Sequence, residues 1–440
     1  MHYPTLPDFA HLTERITEFS RLKAETGALG IEPLLREAET ALRQALERLK
    51  ALPEDEALAA REPNELPAIR RLRPDGPRRL WDALDPAVYR DKLAGALYSR
   101  FAGCILGSIV EFWPVDEMER WAKYIGDAFP PVDYWSRVKD ENSLRYGKTP
   151  RIGYAREQMH GVPVDDDLTY TQLGLLLVEE AGPHFTVEDV GRAWLRYLPY
   201  ACTAEEVALR NLKAGVPAAR AAEVDNPYCQ WIGADIRSDP FAYMAPGLPE
   251  FAAQMAYHDA FLSHRRNGIY GEMFFAAAQS AAFAVSSAEE ALRIGLSEIP
   301  AECALAQDIR WALEAAPGVR DYRDARQAVD ERFAGMSGVH TNLNACLTVF
   351  GLSIGQNDVT KVLSETVAMG MDNDCTAATA GSIVGAIVGF KQVPAHWYRH
   401  FDNRCHSYLI GHDAFAIDDL LRRFEAQARR VYAQQAAVTE

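Results

Sequence analysis

Basic residues are in the minority. There are 46 Lys and Arg against 62 Asp and Glu, giving a formal net charge of −16. A surface of that sign repels nucleic-acid backbones and anionic membranes, so neither is an expected partner. A local basic pocket for a phosphate-bearing ligand stays compatible with it. Cysteine is sparse and scattered: seven residues (Cys104, Cys202, Cys229, Cys303, Cys346, Cys375, Cys405), an odd number with no CxxC pair, in a chain of 440. That argues against a disulfide scaffold and against a thiolate zinc site. Long apolar runs are missing, since the most apolar stretch, 376–390, falls short of the roughly 20 residues a membrane helix needs. The N-terminus, MHYPTLPDFAHLTER, has no basic segment leading into an apolar one. No signal peptide is therefore expected, and the cytoplasm is the expected location. Alternating runs of β-branched and aromatic residues are nearly absent, which argues against a large sheet. Neither a G-x-S-x-G elbow nor a P-loop occurs, so a serine nucleophile on such an elbow and P-loop phosphate chemistry fall away.

Apolar residues make up 48% of the chain and charged residues 25%, the balance of a globular protein with a substantial core. Residues 8–52 read as one or two amphipathic helices, with Leu34, Leu35, Ala38, Leu42, Leu46 and Leu49 at helical spacing. Pro and charge dominate 52–85, which reads as a connector; residues 1–85 are thus taken as an extension and 86–440 as the main domain. Helical periodicity fills that domain, for example over 88–112, 168–180, 187–198, 249–264, 270–285, 341–350, 359–369, 376–390 and 416–433. The expected class is all-α.

Three constellations carry candidate chemistry. Asp165-Asp166-Asp167 follows Gly161-Val162-Pro163-Val164 and opens the helical run LTYTQLGLLLVEE. One Asp would serve as N-cap, but three adjacent carboxylates repel unless a cation or several donors offset them. Asp372-Asn373-Asp374-Cys375 opens a second helix, AATAGSIVGAIVGF, whose small residues permit close approach of another helix. A capping Asp before a buried helix explains that cluster equally well when it stands alone. On a turn that opens a helix, both Asp side chains can converge on one ion. If the two helices pack side by side, five carboxylates face one spot, a donor set suited to Mg²⁺ or Mn²⁺. Gly103 and Gly107 lie one turn apart in GCILGSIVE, ahead of Glu111. A lone Glu at a helix end is otherwise most simply a solvated residue.

In this order the segments resemble the ADP-ribosylglycohydrolase family, an all-α orthogonal helical bundle with a binuclear metal centre. GCILGSIVE is similar to the family's G-D-A-L-G-x-x-x-E, the VDDD run to T-D-D-T, and DNDCTAATAGSIVGAIVG to D-x-D-[TS] before an Ala- and Gly-rich helix. Gly233-Ala234-Asp235-Ile236-Arg237 falls where the family has a loop of the G-A-x-M-R type, and Ser263-His264 where it has Thr-His. The resemblance implies two divalent cations held by Asp165, Asp166, Asp167, Asp372, Asp374 and Cys375. Glu111, Asp166 and Asp374 would be the catalytic set, with Glu111 beside the substrate ribose. The 233–237 loop, with Arg237, would approach the diphosphate, and His264 the ribose or a metal-bound water. The departures are Cys104 for the motif's Asp, Cys375 for its Thr or Ser, and the residue before the Asp pair. That residue is Val164 or Asp165 depending on register, and both registers remain open.

The implied activity is metal-dependent hydrolysis of an ADP-ribosyl or related ribosyl glycosidic bond, on an ADP-ribosylated protein or a small molecule; an oligomer is compatible with it. A nucleoside or small-metabolite N-ribosyl hydrolase using the same site is the alternative enzyme. A non-catalytic binding or structural member is the alternative outside enzymes, kept open by Cys104, Val164 and Cys375. Of the aromatics Tyr228, Trp231, Phe241, Tyr243, Tyr257, Tyr270 and Phe274, most are expected in the core, with one or two free to stack on an adenine ring.

Overall fold

The computed structural model describes residues 3–437. The chain divides into two compact units between Ala60 and Arg61, earlier in the sequence than Pro86. The first unit holds helices α1 (Phe9–Glu25) and α2 (Ile31–Lys50), joined through Gly27 and Gly30, both at positive φ. Neither helix contains a buried residue, and Leu12, Phe19, Leu34 and Leu46 are exposed. Stretch 61–85 belongs to the second unit. Arg73 and Arg78 pair with buried Glu298 at 2.5 and 2.8 Å, and Trp81 packs edge-on against Phe283.

The second unit is helical, apart from two small hairpins among the described residues. The helices that position the site are α3 (Pro86–Ser108), α4 (Asp166–Ala181), α5 (Thr203–Lys213), α6 (Pro249–Ala260), α7 (Asn267–Ala282), α8 (Thr341–Gly355), α9 (Val359–Ala368) and α10 (Asn373–Val388). The hairpins are β1 (Leu144–Arg145) with β2 (Thr149–Pro150), and β3 (Arg404–Leu409) with β4 (His412–Ala416), both antiparallel. The C-terminal helix α11 spans Ile417–Ala437.

Helix α3 starts where its sequence instructs. Asp85 accepts hydrogen bonds from the N–H groups of Ala87 and Val88 at 2.9 and 3.1 Å, and Pro86 supplies the preset φ of the first turn. Its inner half and nearly all of α10 are buried on every side, so both run through the centre of the domain. They pack antiparallel with their backbones in contact. A Cβ placed on Gly95 would lie 2.3 Å from the Gly385 carbonyl oxygen, one on Gly103 2.1 Å from that of Ala377, and one on Gly107 2.4 Å from the Asp374 nitrogen. From the other side, Cβ atoms on Gly381 and Gly385 would lie 2.4 and 2.1 Å from the carbonyl oxygens of Ser99 and Gly95. Contacts that short are forbidden to any side chain, so glycine at these positions sets how near the helices come. The result is that the C-terminal end of α3 lies against the N-terminal turn of α10.

Elements not expected from the sequence complete the frame: a helix at Val115–Ile125, although Val115, Met118, Ala122 and Ile125 recur there at helical spacing, and the shorter Asp239–Met244 helix and 3₁₀ turns at Arg151–Tyr154 and Ile232–Arg237, which periodicity does not reveal. Replacing Gly103 with Ala is expected to cost about 3 kcal/mol, because backbone rather than a movable side chain blocks the new methyl. Gly318→Ala, which meets nothing within 4 Å, should stay within about 0.5 kcal/mol. Chemical denaturation of both variants checks this, and an unchanged midpoint for Gly103→Ala would refute the packing argument.

Candidate metal centre

The two acidic turns meet. Asp165 is the N-cap of α4; its Oδ1 accepts from the Asp167 N–H at 3.3 Å, and its Oδ2 from the Ser108 hydroxyl at 3.0 Å. Asp166, one residue on, faces the cavity and accepts from the Tyr146 hydroxyl at 2.6 Å. Asp167 is fully buried, and its Oδ2 accepts from the Cys375 thiol at 3.2 Å. Asp372 occupies the N-cap position of α10 without capping it, so its carboxylate is left for other partners. Asp372, Asp374 and Cys375 bring ligand atoms within 4.8 Å of one another, and so do Cys104, Asp165 and Asp167. All six residues singled out as metal ligands therefore gather at one spot, with Glu111 beside them on the cavity wall.

An arginine lies among them that nothing in a single sequence distinguishes from a surface residue. Arg145, at the end of β1, is 8% exposed. Its guanidinium contacts Glu111 at 3.0 Å, Asp165 at 2.9 Å and Asp374 at 3.4 Å, and donates to the Ser108 carbonyl at 2.6 Å. The hairpin turn that delivers it carries Tyr146 and Gly147 at positive φ. Tyr146 stacks on Tyr408, and its carbonyl accepts from the Tyr200 hydroxyl at 2.7 Å, which ties the hairpin to the domain.

Burial works against the charges gathered here. It raises the carboxyl pKa of Glu111, with Arg145 pulling the other way. Asp372 is pushed up to about 7 by burial and by the Glu111 charge. Asp166, Asp167 and Asp374 are pushed well up by burial, reinforced by the Asp165 charge beside Asp166 and Asp167 and by the Glu111 charge beside Asp374. Oδ1 of Asp167, of Asp372 and of Asp374 is buried without a hydrogen-bond partner. Buried carboxylate oxygens are normally satisfied, and the unpartnered ones of Asp372 and Asp374, whose ligand atoms cluster with Cys375, are what a bound cation would answer. The residues present therefore fit a divalent cation on the Asp167–Asp372–Asp374–Cys375 side.

Above the cluster is a cavity of about 140 Å³, floored by Glu111, Asp166, Asp372, Asp374 and Cys375 and walled by Phe112, Tyr146, Tyr170 and Trp231. Cys202 and Thr203 close one side, and Thr203 opens α5 at positive φ, an unfavourable backbone for a β-branched residue. Neither residue carries a sequence signal. Gly233 and Ile236 reach the cavity wall, whereas Ala234, Asp235 and Arg237 are buried behind it. The Arg237 guanidinium is held by Asp259 at 2.5 Å, Glu205 at 2.6 Å and Glu272 at 3.3 Å, and donates to the Ser263 hydroxyl at 3.1 Å. With its side chain 2% exposed, it is a structural tie behind the wall and does not present itself to a phosphate. His264 is likewise buried; its Nδ1 lies 2.8 Å from the Ser263 hydroxyl, and burial beside Arg237 keeps it neutral. Of the aromatics, Trp231 faces the cavity with Tyr228 packed on it at 4.5 Å, while Phe241, Tyr243, Tyr257, Tyr270 and Phe274 are buried in the core.

Residues 85–430 match the model of the ADP-ribosylglycohydrolase family, and the chain belongs to that family. Among solved structures it is similar to an ADP-ribosylglycohydrolase-related protein complex. The identity is 19% and the TM-score 0.51, covering 79% of this chain and 99% of that one, a likeness of fold. No curated protein matches it.

The raised carboxyl pKa values predict a pH dependence. A carboxyl with a raised folded pKa adds stability that is complete below its unfolded value, near about 4, and lost as pH rises through the folded value. For Asp372 that window ends at about 7. Without added metal, the melting temperature should fall between about pH 5 and pH 8, and Asp374→Asn should flatten the slope. Calorimetry decides it; a flat or rising wild-type profile would mean that Arg145 alone keeps these carboxylates ionised.

Proposed function

We propose that this protein is a metal-dependent hydrolase of an ADP-ribosyl glycosidic bond. The observation that carries the reading is the convergence of Glu111, Asp166, Asp372 and Asp374 on one cavity, with Asp372 and Asp374 each keeping a buried oxygen that no donor reaches. Asp167, Asp372, Asp374 and Cys375 are the residues that would hold a cation, with Asp166 on the cavity side. A divalent cation bound there supplies polarisation of a substrate oxygen and a lowered pKa for water.

The chain's own groups account for the rest. Glu111 lines the cavity with a carboxyl pKa raised by burial, which makes it a stronger base toward the attacking water than a solvated carboxylate. Arg145 fixes the Glu111 carboxylate at 3.0 Å. The aromatic walls exclude water and offer a flat face to a sugar or base. Gly233, where a Cβ would meet the Glu205 carboxylate, brings bare backbone to the rim, as a loop approaching a diphosphate requires.

One observation favours a second reading. At about 140 Å³ the cavity is smaller than the roughly 300–1,000 Å³ of usual ligand pockets. It suits a ribosyl group with its remainder outside, and that holds equally for a nucleoside or other small N-riboside.

The test is a hydrolysis panel with and without divalent cation: ADP-ribosyl-arginine and ADP-ribosyl-serine peptides, O-acetyl-ADP-ribose and plain nucleosides. Cation-dependent release of ADP-ribose is expected, lowered about 100-fold or more in Glu111→Gln and abolished in Asp374→Ala. Release of ribose from nucleosides alone would transfer the assignment to the second reading. No turnover on any substrate, with no metal bound, would refute the enzyme.

A further inference from the structure

Charge is distributed unevenly across the centre. On one side, Arg145 already supplies a positive charge to Glu111, Asp165 and Asp374, and both oxygens of Asp165 are engaged by protein donors. The guanidinium is not a loose surface group. It is buried, anchored by the Ser108 carbonyl at 2.6 Å, and lies 5.4 and 5.8 Å from the ring centres of Tyr146 and Tyr154. A divalent cation placed on that side would have to displace it or sit against it, and like charges at such range in a buried site repel strongly.

On the other side the protein cations are more distant: Arg145 reaches only Oδ2 of Asp374, at 3.4 Å, and does not contact Asp372. Oδ1 of Asp167, Asp372 and Asp374 has no hydrogen-bond partner, although each is buried. The Asp167 Oδ1 has Arg100 at 3.9 Å, whose closer contact, 2.7 Å, goes to Asp239, while the Asp167 Oδ2 is the oxygen next to Cys375. The fourth group facing this space is a sulfur: Cys375 Sγ shares the 4.8 Å cluster with Asp372 and Asp374 and lies 3.2 Å from Asp167. Mixed carboxylate and thiolate donors favour a borderline-soft ion over Mg²⁺, whose preferred ligands are oxygen only.

We propose that the centre binds a single thiophilic divalent cation (Zn²⁺, Fe²⁺ or Co²⁺) on Asp167, Asp372, Asp374 and the Cys375 sulfur, while the Arg145 guanidinium stands where a second cation would. The inference rests on the reading of this cluster as a metal centre and specifies its occupancy. As Sγ ligates, the thiol proton passes to solvent. The other buried thiol near the cluster, Cys104, groups with Asp165 and Asp167 and contacts the Ser108 hydroxyl at 3.7 Å, apart from the Asp372–Asp374–Cys375 group, and so lies outside the ligand set.

The experiment is a Co²⁺ titration of the full-length, metal-stripped chain, read by thiolate-to-cobalt charge-transfer absorption and by metal analysis after equilibrium dialysis. One equivalent per chain is expected, with the band lost in Cys375→Ser and kept in Cys104→Ser. Millimolar Mg²⁺ should leave the band in place, and Arg145→Met should bind a second equivalent. Two equivalents in the wild type would overturn the role of Arg145. A band that survives Cys375→Ser, or that is lost in Cys104→Ser, would overturn the sulfur assignment. Should Arg145→Met fail to fold, the wild-type stoichiometry still decides. Two Mg²⁺ per chain with cation-dependent turnover would end this proposal and leave the hydrolase standing. One Co²⁺ with no turnover across the substrate panel would do the reverse.

Discussion

The contact between α3 and α10 is the constraint on which the rest depends. The two helices cross the middle of the domain with no side chain between them at Gly95, Gly103, Gly107, Gly381 and Gly385. Helices in globular proteins usually stand 8–10 Å apart, separated by interlocking side chains; these approach until backbone meets backbone. One end of the pair thereby delivers Glu111 from just beyond α3 to the turn that carries Asp372 and Asp374. Helix α4 adds Asp165–Asp167 through the Ser108 hydroxyl and through Arg100, which donates to the Asp167 carbonyl at 2.8 Å. A site made of side chains from several helices needs this kind of rigid floor, because a shift of an ångström would separate the carboxylates from any shared ion.

Electrostatics sets the second condition. Carboxylates that are buried and crowded together are individually unfavourable, and the protein tolerates them by dividing the cluster. One portion is neutralised internally by a guanidinium delivered on a two-pair hairpin. The other keeps oxygens that no donor satisfies. Ordinary capping needs neither arrangement. Asp165 does cap α4, as the simplest reading of its position requires, yet the same residue is also tied to Arg145 and Ser108; Asp372 holds the cap position and does not cap. Capping alone therefore leaves most of the cluster unexplained.

Most of the fold was legible in the sequence because burial on helical faces leaves a repeating mark. The helix expected over 359–369 is Val359–Ala368, and that over 187–198 is Val187–Tyr197. Small residues in Gly103, Gly107 and the 376–390 stretch announced the close approach. Elements of six residues or fewer, such as Asp239–Met244, span under two turns and leave no such mark. The acidic turns were legible because several carboxylates in succession are conspicuous in a chain. Arg145 was not, since its meaning comes from residues 20 to 229 positions away. Arg237 was read as phosphate-facing, and only packing reveals that three carboxylates enclose it.

The absence of a Cβ at five points of the α3–α10 seam also bears on how such a protein can change. Every amino acid except glycine would place an atom inside the opposing backbone, so no single codon change at Gly95, Gly103 or Gly385 leaves the seam intact. The ligand turn at its end is under no comparable restriction. The side chains of Asp372 and Cys375 project from that turn without entering the seam, so exchanging them leaves the helix contact in place. The seam is thus closed to substitution, while the groups at its end can be exchanged one at a time.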